Sequence, residues 1–189
     1  MKQTIILCLV GPAGSGKTTV AKALLNKHST TLKRKTSVTT RQPRVGEIDG
    51  KDYYFYSVED FQKNKKLGKF FETEEIHGNF YGTLLTELEG ADKFNLICDI
   101  DIRGAFSLKN AYTDRVVIVY LTLPSDEVLK ERMIARGTTD QEEIARRLAT
   151  AKTENELASK NKDLIDQFIV NNVLSDTVDA VDAIYISKI

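Results

Sequence analysis

The sequence predicts an α/β fold: a three-layer core around a parallel sheet, with a small β-rich insertion and a short helical lid. Three observations carry this prediction. Apolar strand patterns alternate with helical patterns in both terminal parts of the chain, as in folds whose parallel sheet is covered by helices. A glycine-rich loop joins the first strand to the first helix. Between residues 36 and 90, short pieces that interleave aromatic and polar residues replace the alternation.

The elements follow from apolar runs and helical periodicity. Predicted core strands cover residues 4–10, 94–99, 115–121 and 167–171. Predicted helices cover residues 17–27, 102–111, 125–136, 140–158 and 175–186, with a short helix at 58–67 in the middle segment. Ser125 and Ser175 precede acidic residues, which predicts that each is a helix N-cap.

Length and charge set limits on the function. The 189 residues suffice for one domain that buries a core without disulfides, and 41% of them are hydrophobic. The formal net charge is zero, so we expect no nucleic-acid or membrane-surface partner, and any anion binding must be local. The sequence has no stretch that approaches the roughly 20 apolar residues of a membrane span.

The two cysteines indicate a reducing compartment. Cys8 and Cys98 each lie within a predicted strand and lack C-x-x-C spacing, which predicts a cytoplasmic protein without a disulfide. The two histidines are isolated, so we do not expect a His/Cys metal site. The apolar run after Lys2 is interpreted as the first core strand, because no cleavage site separates it from the glycine-rich loop.

The glycine-rich loop is the strongest chemical signal. It reads Gly11-Pro12-Ala13-Gly14-Ser15-Gly16-Lys17-Thr18-Thr19 and fits G-x-x-x-x-G-K-[ST] between a strand and a helix. Glycines let backbone N–H groups point at an anion, and the helix N-terminus adds further donors. Lys17 is expected at the β- and γ-phosphates, and the Thr18 hydroxyl on Mg²⁺. The loop predicts binding of a nucleoside triphosphate.

Arginines elsewhere are candidate phosphate ligands. Arg41 and Arg44 flank Pro43 in an irregular segment; they are either a bidentate clamp for a phosphate monoester or ordinary surface charges. Arg132 and Arg136 are four residues apart on a predicted helix and therefore share a face. A polar loop led by glycine follows them, and further arginines lie beyond it, which is typical of a lid that closes over phosphates.

A carboxylate ends the second predicted core strand. Ligands of open α/β sheets lie at the carboxyl ends of strands, so Asp99 is a candidate to organise Mg²⁺ through water. The alternative is that Asp99 and Asp101 form an N-cap pair for the following helix.

These patterns divide the chain. We assign residues 1–35 and 91–189 to the core, with the lid at about 132–150. Residues 36–90 form the predicted insertion, which we expect to close over a second ligand.

With the insertion included, the chain resembles the guanylate kinase family from end to end. Beyond the glycine-rich loop, the motifs that carry the resemblance are Ser37-Val38-Thr39-Thr40-Arg41-Gln42-Pro43-Arg44, Gly46-Glu47, Asp49-Gly50-Lys51-Asp52-Tyr53, Phe71-Glu72, Gly78-Asn79-Phe80-Tyr81-Gly82-Thr83, Asp99-Ile100-Asp101 and Arg132 through Gly137. The resemblance implies a P-loop NTPase core, a GMP-binding insertion and a lid. It implies Mg²⁺-dependent transfer of a phosphoryl group from ATP to GMP, and also to dGMP, by a monomer or homodimer.

The resemblance also implies roles for individual residues. The ATP site would comprise Gly11, Pro12, Ala13, Gly14, Ser15, Gly16, Lys17, Thr18, Thr19 and Asn171. The guanine base would be bound by Ser37, Glu72, Thr83 and Asp101, and the GMP phosphate by Arg41, Arg44, Tyr53 and Tyr81. The catalytic cations would be Lys17, Arg132, Arg136 and Arg147. Ala13 departs from the serine common in this family, and Asn172 from a frequent acid.

The chemistry of guanine agrees with the expected role of Glu72. Guanine presents N1–H and N2–H₂ as adjacent donors, and one carboxylate accepts from both. Adenine has a bare N1 acceptor at that edge, which would face a desolvated carboxylate. Rejection by such an unmatched buried group can reach about 10⁴.

Three other functions fit part of the pattern. A GTPase is suggested by Asp101-Ile102-Arg103-Gly104, which fits D-x-x-G, but no N-K-x-D accompanies it. Another nucleoside monophosphate kinase is disfavoured by Glu72 together with the paired arginines. A catalytically inactive binding module is disfavoured by the complete glycine-rich loop and the lid arginines.

Overall fold

Two β-sheets organise the chain in the computed structural model, which describes residues 3–89, 91–135, 137 and 140–189. The strands are β1 (Ile6–Val10), β2 (Leu32–Arg34), β3 (Val38–Thr39), β4 (Tyr54–Phe55), β5 (Phe70–Ile76), β6 (Asn79–Leu84), β7 (Asn95–Asp99), β8 (Val116–Thr122) and β9 (Gln167–Val170). The helices are α1 (Lys17–Lys27), α2 (Val58–Lys66), α3 (Ile102–Tyr112), α4 (Asp126–Ala135), α5 (Gln141–Lys160) and α6 (Leu174–Lys188).

The larger sheet is parallel and buried on both faces. Across the described residues its five strands run in the order β2-β7-β1-β8-β9. Ile6, Cys8 and Val10 of the central strand pack into one apolar cluster, and Leu7 and Leu9 into the other. This alternation follows from the two-residue period of a strand, and helices cover both clusters. The predicted three-layer α/β core is confirmed.

The core elements follow the predicted order, with two differences. The edge strand β2 is not among the predicted strands, because three residues are too few to show a periodic pattern. Ser125 accepts a long hydrogen bond from the Val128 N–H (3.4 Å), as expected near a helix start. The prediction for Ser175 is wrong: α6 begins one residue earlier, and the Ser175 hydroxyl donates to Asp176 instead.

The smaller sheet is formed by residues between 38 and 84. Over this described stretch its strands run in the order β4-β3-β6-β5, with β6 antiparallel to both neighbours. Helix α2 packs on the sheet through Phe61, which stacks on Phe70 and Phe80 with ring centroids 4.6 and 5.4 Å apart.

Helices α4 and α5 pack on each other through a small apolar cluster that contains Leu129, Met133 and Ala151. None of the described helices is both long and apolar enough to cross a membrane.

A charged contact joins α1 to α6. Asp182 on α6 is buried, pairs with His28, and accepts a hydrogen bond from Lys27 Nζ at 2.6 Å. Burial acts to raise the pKa of the Asp182 carboxyl, but the hydrogen bonds from Lys27 and His28 outweigh it and hold the pKa below its ordinary value. The ionised carboxylate therefore stabilises the packing of the two helices.

Replacement of Asp182 by Asn should lower the free energy of unfolding by about 1–3 kcal/mol at neutral pH. Because the pKa is depressed in the folded state, the stabilisation is present above the unfolded value of about 3.9 and is lost as the pH falls through the folded value. Urea unfolding at pH 5 and pH 3 should show the difference between variant and wild type narrowing at pH 3. Asp179→Asn is the control, since Asp179 lies on the same helix with a carboxylate that is 77% exposed. A difference that stays constant with pH would contradict this account.

Candidate active site

A cleft of about 400 Å³ lies between the carboxyl ends of β1 and β7, the smaller sheet and helix α5. The predicted site residues that line it are Gly11, Ala13, Gly14, Gly16, Lys17, Thr18, Ser37, Arg41, Arg44, Tyr53, Glu72, Tyr81, Asp99, Asp101 and Arg147. Among the predicted residues that the structure describes, those that do not line it are Pro12, Ser15, Thr19, Thr83, Arg132 and Asn171. Arg136 lies outside the described residues.

The glycine-rich loop takes the conformation that only glycine adopts readily. Gly11, Gly14 and Gly16 have φ angles of 130°, 104° and 100°. A Cβ atom at Gly16 would also collide with the side chain of Asn171. Helix α1 begins within this motif, at Lys17, so its unsatisfied N–H groups face the same space. The Lys17 ammonium group lies across the loop, where it donates to the carbonyl oxygens of Gly11 and Pro12.

Asn171 supports the loop from behind. The residue is only 1% exposed, and its Nδ2 donates to the carbonyl oxygen of Ser15 at 2.7 Å. Its Oδ1 accepts from Thr177 Oγ1 at 2.9 Å. Arg132 donates to the Asn171 carbonyl oxygen at 3.0 Å, which directs this arginine to the back of the loop. Both side chains therefore brace the loop in this structure.

The two predicted magnesium residues are in contact. Thr18 Oγ1 donates to Asp99 Oδ2 at 2.8 Å, and Asp99 Oδ1 accepts from Arg34 at 2.9 Å. Hydroxyl and carboxylate oxygens are the donors that Mg²⁺ prefers, and these two face the cleft, so the residues fit the ion. Within the described residues, no group of three or more His, Cys, Asp or Glu residues could hold a metal by itself. A cation here would need ligands from a bound phosphate or from water.

The alternative prediction for Asp99 and Asp101, that they cap the following helix, holds for Asp101, which is the N-cap of α3. Its Oδ1 accepts from the N–H groups of Arg103 and Gly104 at 2.8 and 3.1 Å, at the start of α3. Asp101 nevertheless also lines the cleft, so capping and ligand contact are compatible.

A second group of cationic and phenolic side chains lines the cleft, from residues 41 to 81. Arg41 forms a two-pronged ion pair with Glu47, at 2.9 and 3.0 Å, and Glu47 also accepts from the Arg44 N–H at 2.7 Å. Burial and the charge of Arg41 lower the pKa of Arg44, and the negative charge of a bound anion would oppose this shift. Burial raises the pKa of Tyr53, whose phenol keeps its proton and can donate, and its ring lies 6.3 Å from that of Tyr81.

A buried hydrogen-bond chain supports Glu72. Lys35 is 1% exposed and donates to the hydroxyl groups of Ser37 and Thr83, at 2.8 and 2.9 Å. Thr83 in turn donates to Glu72 Oε1 at 2.6 Å. Burial raises the pKa of Glu72, although Thr83 and Lys35 oppose the shift. Lys35 is a residue that sequence reasoning missed, because it follows Lys33 and Arg34 and resembles part of a surface charge run.

Helix α5 brings two arginines to the cleft. Arg147 donates to Glu143 at 2.7 Å, and Arg146 pairs with the same carboxylate. All three line the cleft. Arg146 is one of the arginines expected beyond the lid loop, whereas Glu143 is a further residue that the sequence did not single out. Helix α5 also places Glu154 in the cleft wall.

Comparison with known proteins gives a consistent result. A sequence model described as guanylate kinase matches residues 1–188. A guanylate kinase from Nitratidesulfovibrio vulgaris is 42% identical, with 97% of this chain and 87% of the relative covered. One from Sus scrofa is 40% identical, with 88% of this chain and 84% of the relative covered.

Two solved structures share the fold. A guanylate kinase from Anaplasma phagocytophilum has a TM-score of 0.78 and 32% identity, and covers 99% of this chain and 87% of its own. A shikimate kinase from Acinetobacter baumannii, in complex with shikimate, has a TM-score of 0.51 and 14% identity. The match covers 97% of this chain and 94% of the shikimate kinase chain. The second likeness concerns the fold alone, and both proteins have the P-loop NTPase fold.

Asn171→Ala should lower the free energy of unfolding by about 1–3 kcal/mol and weaken the binding of inorganic tripolyphosphate, because the Ser15 carbonyl loses its buried donor. Urea unfolding and calorimetric titration measure the two effects. Asn172→Ala is the matched control, since this exposed neighbour has the same side chain. Unchanged tripolyphosphate affinity in a folded Asn171→Ala protein would show that the loop does not depend on this support.

Proposed function

The chain belongs to the guanylate kinase family, and from that premise we propose which residues of the cleft carry out its reaction. The enzyme is an ATP:GMP phosphotransferase: the γ-phosphoryl group of ATP passes to GMP, giving ADP and GDP. The observation that carries the residue assignments is that two cationic sites face each other across one cleft. One site is the glycine-rich loop, and the other is the pair Arg41 and Arg44.

The acceptor half binds GMP. Arg41 and Arg44 would hold its phosphate with bidentate geometry, and Tyr53 and Tyr81 would each donate a phenolic hydrogen bond. Glu72 would accept from guanine N1–H and N2–H₂. Ser37 and Asp101 line the same cleft as further base contacts, and Thr83 acts through its hydrogen bond to Glu72. The raised pKa of Glu72 reflects a desolvated carboxylate, which is what makes discrimination against adenine strong.

The donor half binds ATP through the loop Gly11–Thr19. Its backbone N–H groups would surround the phosphates, and Lys17 would move from its carbonyl contacts to the β- and γ-phosphates. We propose Mg²⁺ as the cofactor, held by Thr18 directly and by Asp99 through water. When bound, the ion neutralises charge on the phosphate oxygens. Asn171 is proposed to act by supporting the loop, because both ends of its amide are already bonded within the protein.

The transfer itself needs positioning and charge neutralisation rather than a general base. The GMP phosphate is ionised at neutral pH and can attack in line, with no covalent intermediate. Lys17, Arg136 and Arg147 would neutralise the transferring group. Arg132 would join them by leaving the carbonyl oxygen of Asn171 as the lid closes. Arg147 would exchange Glu143 for phosphate oxygens as the lid closes.

Closure of the insertion and the lid over the cleft would keep water away from the reacting groups. GMP would draw the insertion toward the core, and ATP would draw the lid over the loop, which suppresses hydrolysis of ATP. We further propose dGMP as a second acceptor, and a monomer or homodimer without nucleic-acid or membrane partners. A reducing cytoplasm is supported by Cys8 and Cys98, which are buried as free thiols on neighbouring strands.

Glu72→Gln should reduce kcat/KM for GMP by about 10²-fold, because an amide offers guanine one acceptor where a carboxylate offers two and a charge. The background ATPase rate should change little. A coupled assay with Mg-ATP measures both rates. Glu75→Gln is the control, since Glu75 is an exposed residue of the same strand. Equal losses of GMP transfer and ATPase activity would argue against recognition of guanine by Glu72.

Lys17→Ala should reduce kcat for GMP phosphorylation by about 10²- to 10³-fold while the protein stays folded, because a charge that acts on the transferring group is removed. The same coupled assay, with circular dichroism to confirm the fold, measures this. Lys63→Ala on the exposed side of α2 should leave kcat unchanged. Near-normal GMP phosphorylation by the Lys17 variant would remove this residue from the catalytic assignment.

A further inference from the structure

Glu154 is a carboxylate in the cleft wall that the assignments above do not use. It lies on α5, seven residues after Arg147, and thus on the same face of the helix, with Thr150 and Ala151 between them in the lining. Its Oε2 atom is buried and accepts no hydrogen bond from the described residues. Buried polar atoms normally have a partner, and an acceptor left without one costs free energy. The cleft is therefore built to receive a hydrogen-bond donor at this point.

The charged groups around Glu154 place it between the two halves of the cleft. Lys17 and Arg103 favour its ionised form, and Asp101 disfavours it. Lys17 belongs to the donor half, and Asp101 to the side of the cleft assigned to the guanine base. Burial is the largest influence and raises the pKa of Glu154, which is a sign of desolvation at this position.

The substrates offer few donors that could reach such a site. The phosphate groups of both nucleotides are negatively charged acceptors and would be repelled. The N1–H and N2–H₂ donors of guanine are taken by Glu72 in the proposed function, on which this step rests. The hydroxyl groups of the GMP ribose are donors, they lie between base and phosphate, and the assigned residues leave them without a partner.

We propose that Glu154 binds a ribose hydroxyl of GMP and is a specificity residue for the acceptor sugar. The carboxylate accepts from the 2′- or 3′-hydroxyl. Because Glu154 and Arg147 share one helix face, the same contact seats α5 against the acceptor nucleotide and brings Arg147 toward the transferring group. Deoxynucleotides are then accepted, but less well than GMP.

Glu154→Ala tests this with acceptors that differ only in the sugar. For wild type, kcat/KM with Mg-ATP should be about 10- to 100-fold higher for GMP than for 2′,3′-dideoxy-GMP, the range expected for a hydrogen bond to a charged acceptor. The variant should lose this preference through a fall in GMP turnover, with dideoxy-GMP turnover unchanged. Unchanged dideoxy-GMP turnover also demonstrates that the variant is folded. 2′-Deoxy-GMP and 3′-deoxy-GMP then identify which hydroxyl is bound.

Two further variants sharpen the test. Glu154→Gln keeps a neutral hydrogen-bond acceptor and should keep part of the preference for GMP over dideoxy-GMP. It replaces Glu154→Ala in the test if the alanine variant does not fold. Glu156→Ala removes an exposed carboxylate from the same helix and should behave as wild type. Calorimetric binding of GMP and dideoxy-GMP in the absence of ATP should show the same pattern of affinities, which separates sugar recognition from effects on phosphoryl transfer.

Two outcomes would overturn the proposal. An equal loss for all acceptors in the Glu154 variants would assign the carboxylate to a metal-bound water or to the lid. A wild-type enzyme that uses GMP and dideoxy-GMP equally would show that no sugar hydroxyl is recognised. Both outcomes leave the proposed function standing, whereas failure of the wild type to phosphorylate GMP would refute that function first.

Discussion

Cationic side chains that line one cleft repel one another, and carboxylates and carbonyl oxygens around the cleft offset this repulsion for several of them. Arg41 is paired with Glu47, and Arg146 and Arg147 share Glu143. Lys17 rests on carbonyl oxygens of its own loop. Each of these four cations thus has a local partner that a phosphate could replace, so their positions are set before a ligand arrives and little of the binding free energy would be spent on arranging them.

Glu47 and Glu143 are placed where they neutralise the arginines of the cleft. Glu47 lies in the turn that carries Arg41 and Arg44, so one residue fixes both the charge and the backbone of the acceptor site. Glu143 lies in the first turn of α5, where a negative charge also favours the helix N-terminus. Glu154 differs from both, because the charges that act on it come from other elements and its buried oxygen has no donor within the described residues.

Features that depend on local sequence were predictable, and those that depend on distant contacts were not. The loop and the core helices follow from glycine spacing and apolar periodicity over a few residues. The support of the loop by Asn171 joins residues 156 positions apart, and Lys35 reaches Thr83 across 48 positions. Resemblance to a family supplied positions such as Glu72 and Tyr81, but not the direction in which Arg132 points. Sequence spacing cannot reveal these contacts, because each joins segments that come together only when the chain has folded.

A short path of polar contacts connects the glycine-rich loop to the smaller sheet. Asp99 at the end of β7 binds Thr18 of the loop helix on one side and Arg34 of β2 on the other. The chain leaves the core immediately after β2 and enters the smaller sheet through Lys35, whose hydrogen bonds lead to Glu72 by way of Thr83. A second link, the ion pair of Lys22 with Asp52 at 2.7 Å, ties the loop helix to the turn before β4. Because these contacts connect the smaller sheet to helix α1 beside the glycine-rich loop, a movement of the smaller sheet would be transmitted to the loop. In the proposed function, the acceptor site would therefore be aligned with the donor site through contacts that centre on Asp99.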